Sequence, residues 1–533
     1  MKDQIKWLCI MTALSCLLIG AAELGRNAGR FLQEETQETG SGVVVEEIGE
    51  CLGEPHTGEE REDEADKHDD DKGLLSLQQG AAGILKGSVG LAKRILSLPK
   101  RISPQPVQSK EKENPPPEKQ DQQEEPGPPV VYLVSDLHYM SEAATDYGKA
   151  FETFQAKSDG KVVRYLPQIL DALIEEASSG KPDALVLTGD ITMNGEKINH
   201  EKLAEKLSRL QESGIQVLVI PGNHDINNQD AAVYFGDKAE KTQAVTPEEY
   251  REIYRDFGWS QAISQDEGSF SYIYALREDV WLMLLDTAQY EPANVVDGRV
   301  RQETMAWMDA NLQAAKARGV QVIVLGHHNL LSESRMFTSM CILENGNDVT
   351  SLLERYQVPL YISGHLHLQR TNQHKREPGD KEYGIYEIVS DAISIPPCQY
   401  GILSWQENKD LQYKTYETDV GAWALAHGEE DENLLNFSEY KKEYIRQLIE
   451  DQIKADAKHV REKTSGEMAK IYADAYADYC AGAKIDEREA MRSREYKQWE
   501  NCWPQSKRAE ELRAMLGDCS KDYNELTVPG MVQ

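Results

Sequence analysis

Residues 217–225 read Val217-Leu218-Val219-Ile220-Pro221-Gly222-Asn223-His224-Asp225, an apolar run that stops at a glycine turn and then presents three polar side chains in succession. Four other stretches repeat the arrangement. The runs 130–134, 184–187, 322–325 and 360–362 lead into Asp136-Leu137-His138, Gly189-Asp190, Gly326-His327-His328 and Gly364-His365-Leu366-His367. Short continuous apolar runs ending in glycine or polar turns read as strands covered on both faces, as in parallel sheets. In such sheets the ligand site lies just beyond the carboxyl ends of the strands. Clusters far apart in sequence are therefore expected on one rim.

The pooled side chains include at least two Asp, one Asn and four His. Carboxylate, amide oxygen and imidazole suit Mn²⁺, Fe or Zn²⁺ rather than a thiolate-seeking metal. Two such cations about 3.5–4 Å apart clamp a phosphoryl group and lower the pKa of a water. Asp190, central in the series, is the natural bridging carboxylate. A lone Asp-x-His more often closes a turn, and Gly-Asp alone says less still. Gly-Asn-His-Asp and Gly-His-x-His are more specific, and the ordered set of five carries the reading. The chain has no P-loop, no dinucleotide fingerprint and no serine-nucleophile elbow to compete with it.

The order DxH, GD, GNHD, GHH, GHxH resembles the calcineurin-like metallophosphoesterase superfamily. In detail it is similar to the bacterial class III cyclic-nucleotide phosphodiesterase-like branch. There the second motif reads like Gly189-Asp190-Ile191-Thr192-Met193-Asn194-Gly195, followed by a helix beginning within residues 196–200. The likeness spans residues 130–405 and continues more weakly into the C-terminal helices. It implies an α/β fold, an αββα sandwich of two mixed β-sheets with an additional C-terminal helical domain. The second sheet is expected to include residues 270–276, 281–285, 386–389 and 401–404.

Carried over motif by motif, the resemblance implies that Asp136, His138 and His367 hold a first metal, with Asp190 bridging. Asn223, His327 and His365 complete the second. His224 is left as a non-ligand that protonates the leaving group, with Asp225 to orient it. The implied reaction is hydrolysis of a phosphodiester, a 3′,5′-cyclic nucleotide or a polymer or lipid-headgroup diester, by a hydroxide shared between two divalent ions. Asn194 and His328 are candidate substrate contacts. His200 is expected at the surface or as a helix cap, and Asp286 in a supporting role. Two other readings stay open. One is a phosphomonoesterase on the same centre, with Arg335 or Arg370 aimed at the phosphate. The other is a surface binding protein with a vestigial site, which the intact ligand set disfavours.

The chain of 533 residues allows two or three domains. Its net charge of −33 argues against nucleic-acid binding through a basic surface. Lys2 and Lys6 precede an apolar stretch over residues 7–22, so residues 1–24 read as a signal peptide or membrane anchor, giving an extracytoplasmic, secreted or cell-surface location. Residues 25–129 combine an acidic segment expected to be disordered (34–71), an amphipathic stretch (74–102) and a Pro-rich linker (103–129). In the amphipathic stretch, Leu77, Ile84, Leu91, Ile95 and Leu98 lie opposite Lys86 and Lys93, a pattern able to lie on an anionic membrane.

The catalytic domain is expected over 130–415 and a helical domain over 416–533, the latter a cap or homodimer surface. Asn436 followed by Glu439 reads as a capping-box-like helix start. Further helices are expected over 467–479, 487–499 and 506–516, with Tyr472, Tyr476 and Trp499 in their core. Cys341, Cys398, Cys480, Cys502 and Cys519 show no zinc spacing, and one disulfide among the last three is left open.

Overall fold

Side chains alternate across a strand with a period of two, so a strand buried on both faces feeds two cores at once. Here Val131 and Leu133 enter one core while Tyr132 and Val134 enter another. Leu218 and Ile220 likewise oppose Val217 and Val219. Ile323 and Leu325 share the first core, but Val322 and Val324 face a third. Two sheets therefore share an inner core, and helices cover the outer face of each. The structure, a computed structural model, describes residues 127–375 and 384–530. The expectations for residues 1–24, for the acidic segment, for 74–102 and for all but the last residues of the linker lie outside the described residues.

In chain order the strands are β1 (Val130–Val134), β2 (Ala184–Thr188), β3 (Gln216–Ile220), β4 (Ala232–Phe235), β5 (Lys238–Lys241), β6 (Ser264–Gln265), β7 (Tyr272–Arg277) and β8 (Val280–Leu284). They continue with β9 (Gln321–Leu325), β10 (Leu360–Ser363), β11 (Arg370–His374), β12 (Ile385–Val389), β13 (Gln399–Trp405), β14 (Leu411–Glu417) and β15 (Glu525–Val528). The first sheet runs β15-β14-β13-β1-β2-β3 and the second β11-β12-β10-β9-β8-β7-β6, with β4 and β5 forming a separate hairpin. Both sheets are mixed, and helices follow the two-sheet sandwich, the αββα arrangement expected from the sequence.

The five motif-bearing strands divide between the sheets. β1, β2 and β3 are parallel neighbours in the first, and β9 and β10 are parallel neighbours in the second. One assignment needs correction. Residues 401–404 belong to the first sheet, with Gly401 opposite Leu133 and Ser404 opposite Val130 on β1. The apolar pattern of a strand is the same in either sheet, and only its pairing tells them apart.

The helical region packs on the rim. Ile445, Ile449 and Ile453 of the helix Phe437–Asp456 share a core with Met468, Tyr472, Trp499 and Leu512, and also with Leu366, Leu368, Ala392 and Ile395 of the body. Asn436 starts this helix but does not cap it: its side chain makes no capping bond, and its Nδ2 donates to the Glu432 carbonyl of the preceding helical turn. The helix expected over 487–499 is two, Glu487–Arg492 and Arg494–Cys502, because Ser493 leaves helical backbone and accepts from the Tyr496 N–H as the second helix's cap. All five described cysteines are free. No helix among the described residues is long and apolar enough to cross a membrane.

The first strand begins at Val130, whose N–H donates to Asp183 Oδ2 at 2.8 Å. A chain shortened to start at Pro128 is therefore expected to be soluble, to melt cooperatively by circular dichroism and to bind metal as the full chain does. Insolubility, or inactivity with Mn²⁺ supplied, would make residues 74–102 part of the fold.

Candidate metal centre

Five of the expected donors sit where the chain turns sharply out of a strand. Asp136 (φ 51°), His138 (44°), Asp190 (47°), His365 (69°) and His367 (56°) all take the left-handed backbone region that side chains other than glycine seldom adopt. Such conformations persist only when the surroundings over-determine them, and they gather at functional sites. The surroundings here are the other loops. Asp136 N–H donates to Gly189 O at 3.2 Å, His138 N–H to Asp190 O at 2.9 Å, and Gly364 N–H to His327 O at 3.0 Å. His365 N–H donates to Asp136 Oδ2 at 2.9 Å. A side chain at Gly189 would meet His327 Nδ1 at 2.6 Å, so the second motif also needs its glycine.

The side chains converge in two groups. In each, the ligand atoms lie within 4.8 Å of one another: Asp136, His138, Asp190 and His367 in one, His327, His328 and His365 in the other. His138 Nε2 is 3.0 Å from His367 Nε2 and 3.9 Å from Asp190 Oδ2. His367 Nε2 is 3.3 Å from Asp136 Oδ1. His327 Nε2 lies 3.3 Å from the same Asp190 Oδ2, 3.2 Å from Asn223 Oδ1 and 3.3 Å from His365 Nδ1. One oxygen of Asp190 thus faces both groups.

The donor chemistry fits two cations. His327 Nδ1 donates to the Thr188 carbonyl at 2.9 Å, and His365 Nε2 to the Met340 carbonyl at 2.8 Å. Those bonds place a proton on His327 Nδ1 and on His365 Nε2, and they turn His327 Nε2 and His365 Nδ1 toward each other beside the Asn223 oxygen. Acceptor atoms so opposed need a proton or a metal cation among them. Backbone carbonyls holding the far nitrogen of a ligating imidazole are a recurrent feature of metal sites. Asp136 Oδ1 is buried without a hydrogen bond, as is His138 Nδ1. Burial opposes the charge of Asp190, but the His327 and His224 imidazoles beside it hold it well below the usual carboxylate range. Burial first, and then the Lys161 ammonium, push His138 well below the usual imidazole value.

His224 stands apart. Its Nδ1 lies 2.9 Å from both the Met193 carbonyl and Asn194 Oδ1, two acceptors that require a proton on that nitrogen. Its Nε2 is 4.0 Å from Asp190 Oδ2 and its side chain is 35% exposed. The expectation that Asp225 orients it does not hold. The buried Asp225 carboxylate instead accepts from the N–H groups of Ile191, Thr192 and Gly222 and from the Thr192 hydroxyl, tying the second motif to the third. The orienting contact belongs to Asn194, so that side chain faces the His224 ring.

His328 is also turned away. Its Nδ1 meets the Thr287 hydroxyl at 2.8 Å and its Nε2 the Val296 carbonyl at 2.9 Å, which leaves no free lone pair. His200 is not at the surface but fully buried, 2.9 Å from Tyr254 Oη and 3.1 Å from Thr192 Oγ1. Asp286 supports from behind, accepting from the Phe270 N–H and the Tyr290 hydroxyl. Neither arginine reaches the centre by these contacts: Arg335 pairs with Asp518, and the buried Arg370 lies over the Tyr479 and Tyr523 rings. Sequence reasoning missed Met340, whose carbonyl holds His365, and Asn294, whose Nδ2 donates to the Asn223 and Ile226 carbonyls. No strand-end motif announces either.

The sequence model of the calcineurin-like phosphoesterases matches residues 129–369, and that of the C-terminal domain of cyclic nucleotide phosphodiesterase matches residues 419–522. No curated protein matches the chain. Among solved structures, the chain is similar to a dimetal phosphatase from Danio rerio at 16% identity, covering 54% of this chain and 96% of the other with TM-score 0.37. It is also similar to a purple acid phosphatase from yellow lupin (Lupinus luteus) at 13% identity, covering 55% of this chain and 52% of the other with TM-score 0.36. The inner-membrane-complex anchor of Plasmodium is similar at 11% identity, covering 54% of this chain and 84% of the other with TM-score 0.30. The chain carries a calcineurin-like phosphoesterase domain followed by a C-terminal domain of the cyclic-nucleotide-phosphodiesterase type, which together make it a metal-dependent phosphoric ester hydrolase.

Proposed function

We propose that the protein is a phosphodiesterase whose substrate is a small diester such as a 3′,5′-cyclic nucleotide. The observation that carries this reading is the pairing of the phosphoesterase body with a helical domain matching that of cyclic nucleotide phosphodiesterase, packed on the ligand loop through Leu366 and Leu368. Asp136, His138 and His367 would hold one metal, Asn223, His327 and His365 the other, and Asp190 would bridge them. The donor set suits Mn²⁺, Fe or Zn²⁺. When bound, the ions supply Lewis-acid polarisation of the phosphoryl group and an activated water.

The remaining work falls to the chain. The Met193 carbonyl and Asn194 Oδ1 hold Nδ1 of His224 and leave its Nε2 for the departing alkoxide, to which the protonated imidazole would give a proton. Asn194 acts through His224 as a positioning residue. The bond network of Asp225 keeps the Asp190 and Asn223 loops in register.

The test is metal analysis of the purified protein followed by a substrate panel. With two metals bound, kcat/KM for bis(p-nitrophenyl) phosphate and 3′,5′-cyclic nucleotides should exceed that for p-nitrophenyl phosphate by at least about tenfold, roughly 1.4 kcal/mol of transition-state discrimination. The opposite ratio would make the protein a phosphomonoesterase. No turnover with both metals in place would leave the binding-protein reading.

A further inference from the structure

Met340, whose carbonyl holds His365 Nε2 at 2.8 Å, has its own backbone in the left-handed region (φ 59°). A residue with a side chain keeps that conformation only where its surroundings enforce it. The segment that carries Met340 runs from Leu331, whose N–H donates to Glu387 Oε2 at 2.6 Å, to Cys341, whose carbonyl accepts from the Asn329 N–H at 3.1 Å. Between those ends the helical domain holds it. Ser334 Oγ accepts from the N–H groups of Met336 and Phe337 at 3.0 and 2.8 Å, and lies 2.6 Å from the hydroxyl of Tyr479 on the helix Glu462–Cys480. The Tyr479 hydroxyl donates to Asp518 Oδ2 at 3.1 Å, and the same oxygen accepts from the Arg335 N–H at 2.9 Å. The proton between the two hydroxyls is therefore that of Ser334. Both side chains are buried, so losing either leaves the other short of a partner.

Tyr479 also reaches the chain on the other side of His365. Its carbonyl accepts from Arg370 Nη1 at 3.0 Å, and its ring centroid lies 4.2 Å from the Arg370 guanidinium. The carbonyl of the next residue, Cys480, accepts from the Gln369 N–H at 2.9 Å. Gln369 and Arg370 follow closely on the motif Gly364-His365-Leu366-His367. One tyrosine of the helical domain thus bonds both to the loop behind His365 and to the strand that continues from it.

We propose that Tyr479 is a positioning residue: its hydroxyl, through Ser334, holds the loop whose Met340 carbonyl orients His365, so that the helical domain sets the affinity for the second metal. This rests on the assignment of that metal to Asn223, His327 and His365. Freed of Ser334, the loop has less to enforce the left-handed Met340, whose carbonyl then turns from Nε2 and releases the imidazole. Losing such a partner behind a ligating group typically costs about 10–100-fold in metal affinity.

The experiment titrates Mn²⁺ into the metal-free full-length protein by calorimetry, beside a thermal melt. Tyr479→Phe keeps the ring against Arg370 and removes only the hydroxyl. One of two Mn²⁺-binding steps should weaken about tenfold or more, and the other should stay native. Tyr472→Phe is the control. It removes a hydroxyl from the same helix, one that donates to Glu511 Oε2 at 2.6 Å, and should leave both steps native. Ser334→Ala cuts the proposed bond from the loop side and should weaken the same step as Tyr479→Phe, with the double variant no weaker than Ser334→Ala alone. His327→Ala removes a donor of the second metal and should abolish that step. Equal Mn²⁺ binding in the two Tyr→Phe variants, beside a lost step in His327→Ala, overturns the proposal alone. So does a parallel weakening of both steps in Tyr479→Phe, which marks a structural tyrosine. Two native steps in His327→Ala would overturn the ligand assignment and the proposal with it. Should Tyr479→Phe fail to fold, Ser334→Ala carries the same comparison.

Discussion

Replacing Asp190 with asparagine should empty the centre and abolish turnover. Its Oδ2 is 3.3 Å from His327 Nε2 and 3.9 Å from His138 Nε2, so a single oxygen serves both donor groups. A neutral amide neither bridges two cations well nor offsets their mutual repulsion. Metal catalysis of this kind supplies several kcal/mol of transition-state stabilisation, and losing about 4 kcal/mol lowers the rate by about 10³-fold. The fold should survive, because the amide oxygen can still accept from the His224 N–H that Asp190 Oδ1 now meets at 2.7 Å. Metal content after dialysis, turnover and a thermal melt check all three statements. Two metals retained with near-native turnover would refute the bridging role.

His224→Gln should separate catalysis from metal binding. The imidazole is partly exposed, and its Nδ1 is occupied by the Met193 carbonyl and Asn194, so only Nε2 is available to the reaction. A positioned general acid contributes about 10²–10⁴-fold, and the variant should lose that much on esters with poor leaving groups. Both metals should stay bound. With p-nitrophenol as leaving group the loss should shrink, because that phenolate departs without a proton. If metal content falls in step with activity, His224 is itself a ligand.

The two predictions differ in how far the sequence alone supports them. The bridging carboxylate is legible because the end of a buried strand is legible: an apolar run stops, a glycine follows, and the next polar residue lies on the rim. The strand-end motifs contain the seven expected donors, their assignment as ligands comes from the resemblance, and the structure places their side chains near one another. What surrounds them was not legible, because it depends on partners distant in sequence. His200 has the polarity of a surface residue, and only Tyr254 and Thr192 make its burial tolerable. Asp225 adjoins His224 in sequence, yet three donors from the Ile191–Thr192 loop and the Gly222 N–H of its own turn hold its carboxylate elsewhere. Residues 401–404 carry the pattern of any sandwich strand, and their sheet is decided by pairing with β1.

The antiparallel pairing of β15 with β14, and of β13 with β1, also bears on how the protein is made. A ribosome releases β1, β2 and β3 long before β13 exists to cover the open side of β1, and β15 joins the sheet later still. Until then the edge strands and the apolar faces of Leu366 and Leu368 have no cover, a state that invites aggregation and chaperone binding. Pairings so distant in sequence also form slowly. Asp136, His138 and Asp190 are synthesised first, but the loops that hold their left-handed backbones are completed only by His365, His367 and Ser394. The donor set is accordingly complete only late in synthesis, and mutations in the distant helical region should first appear as poor yield of metallated protein.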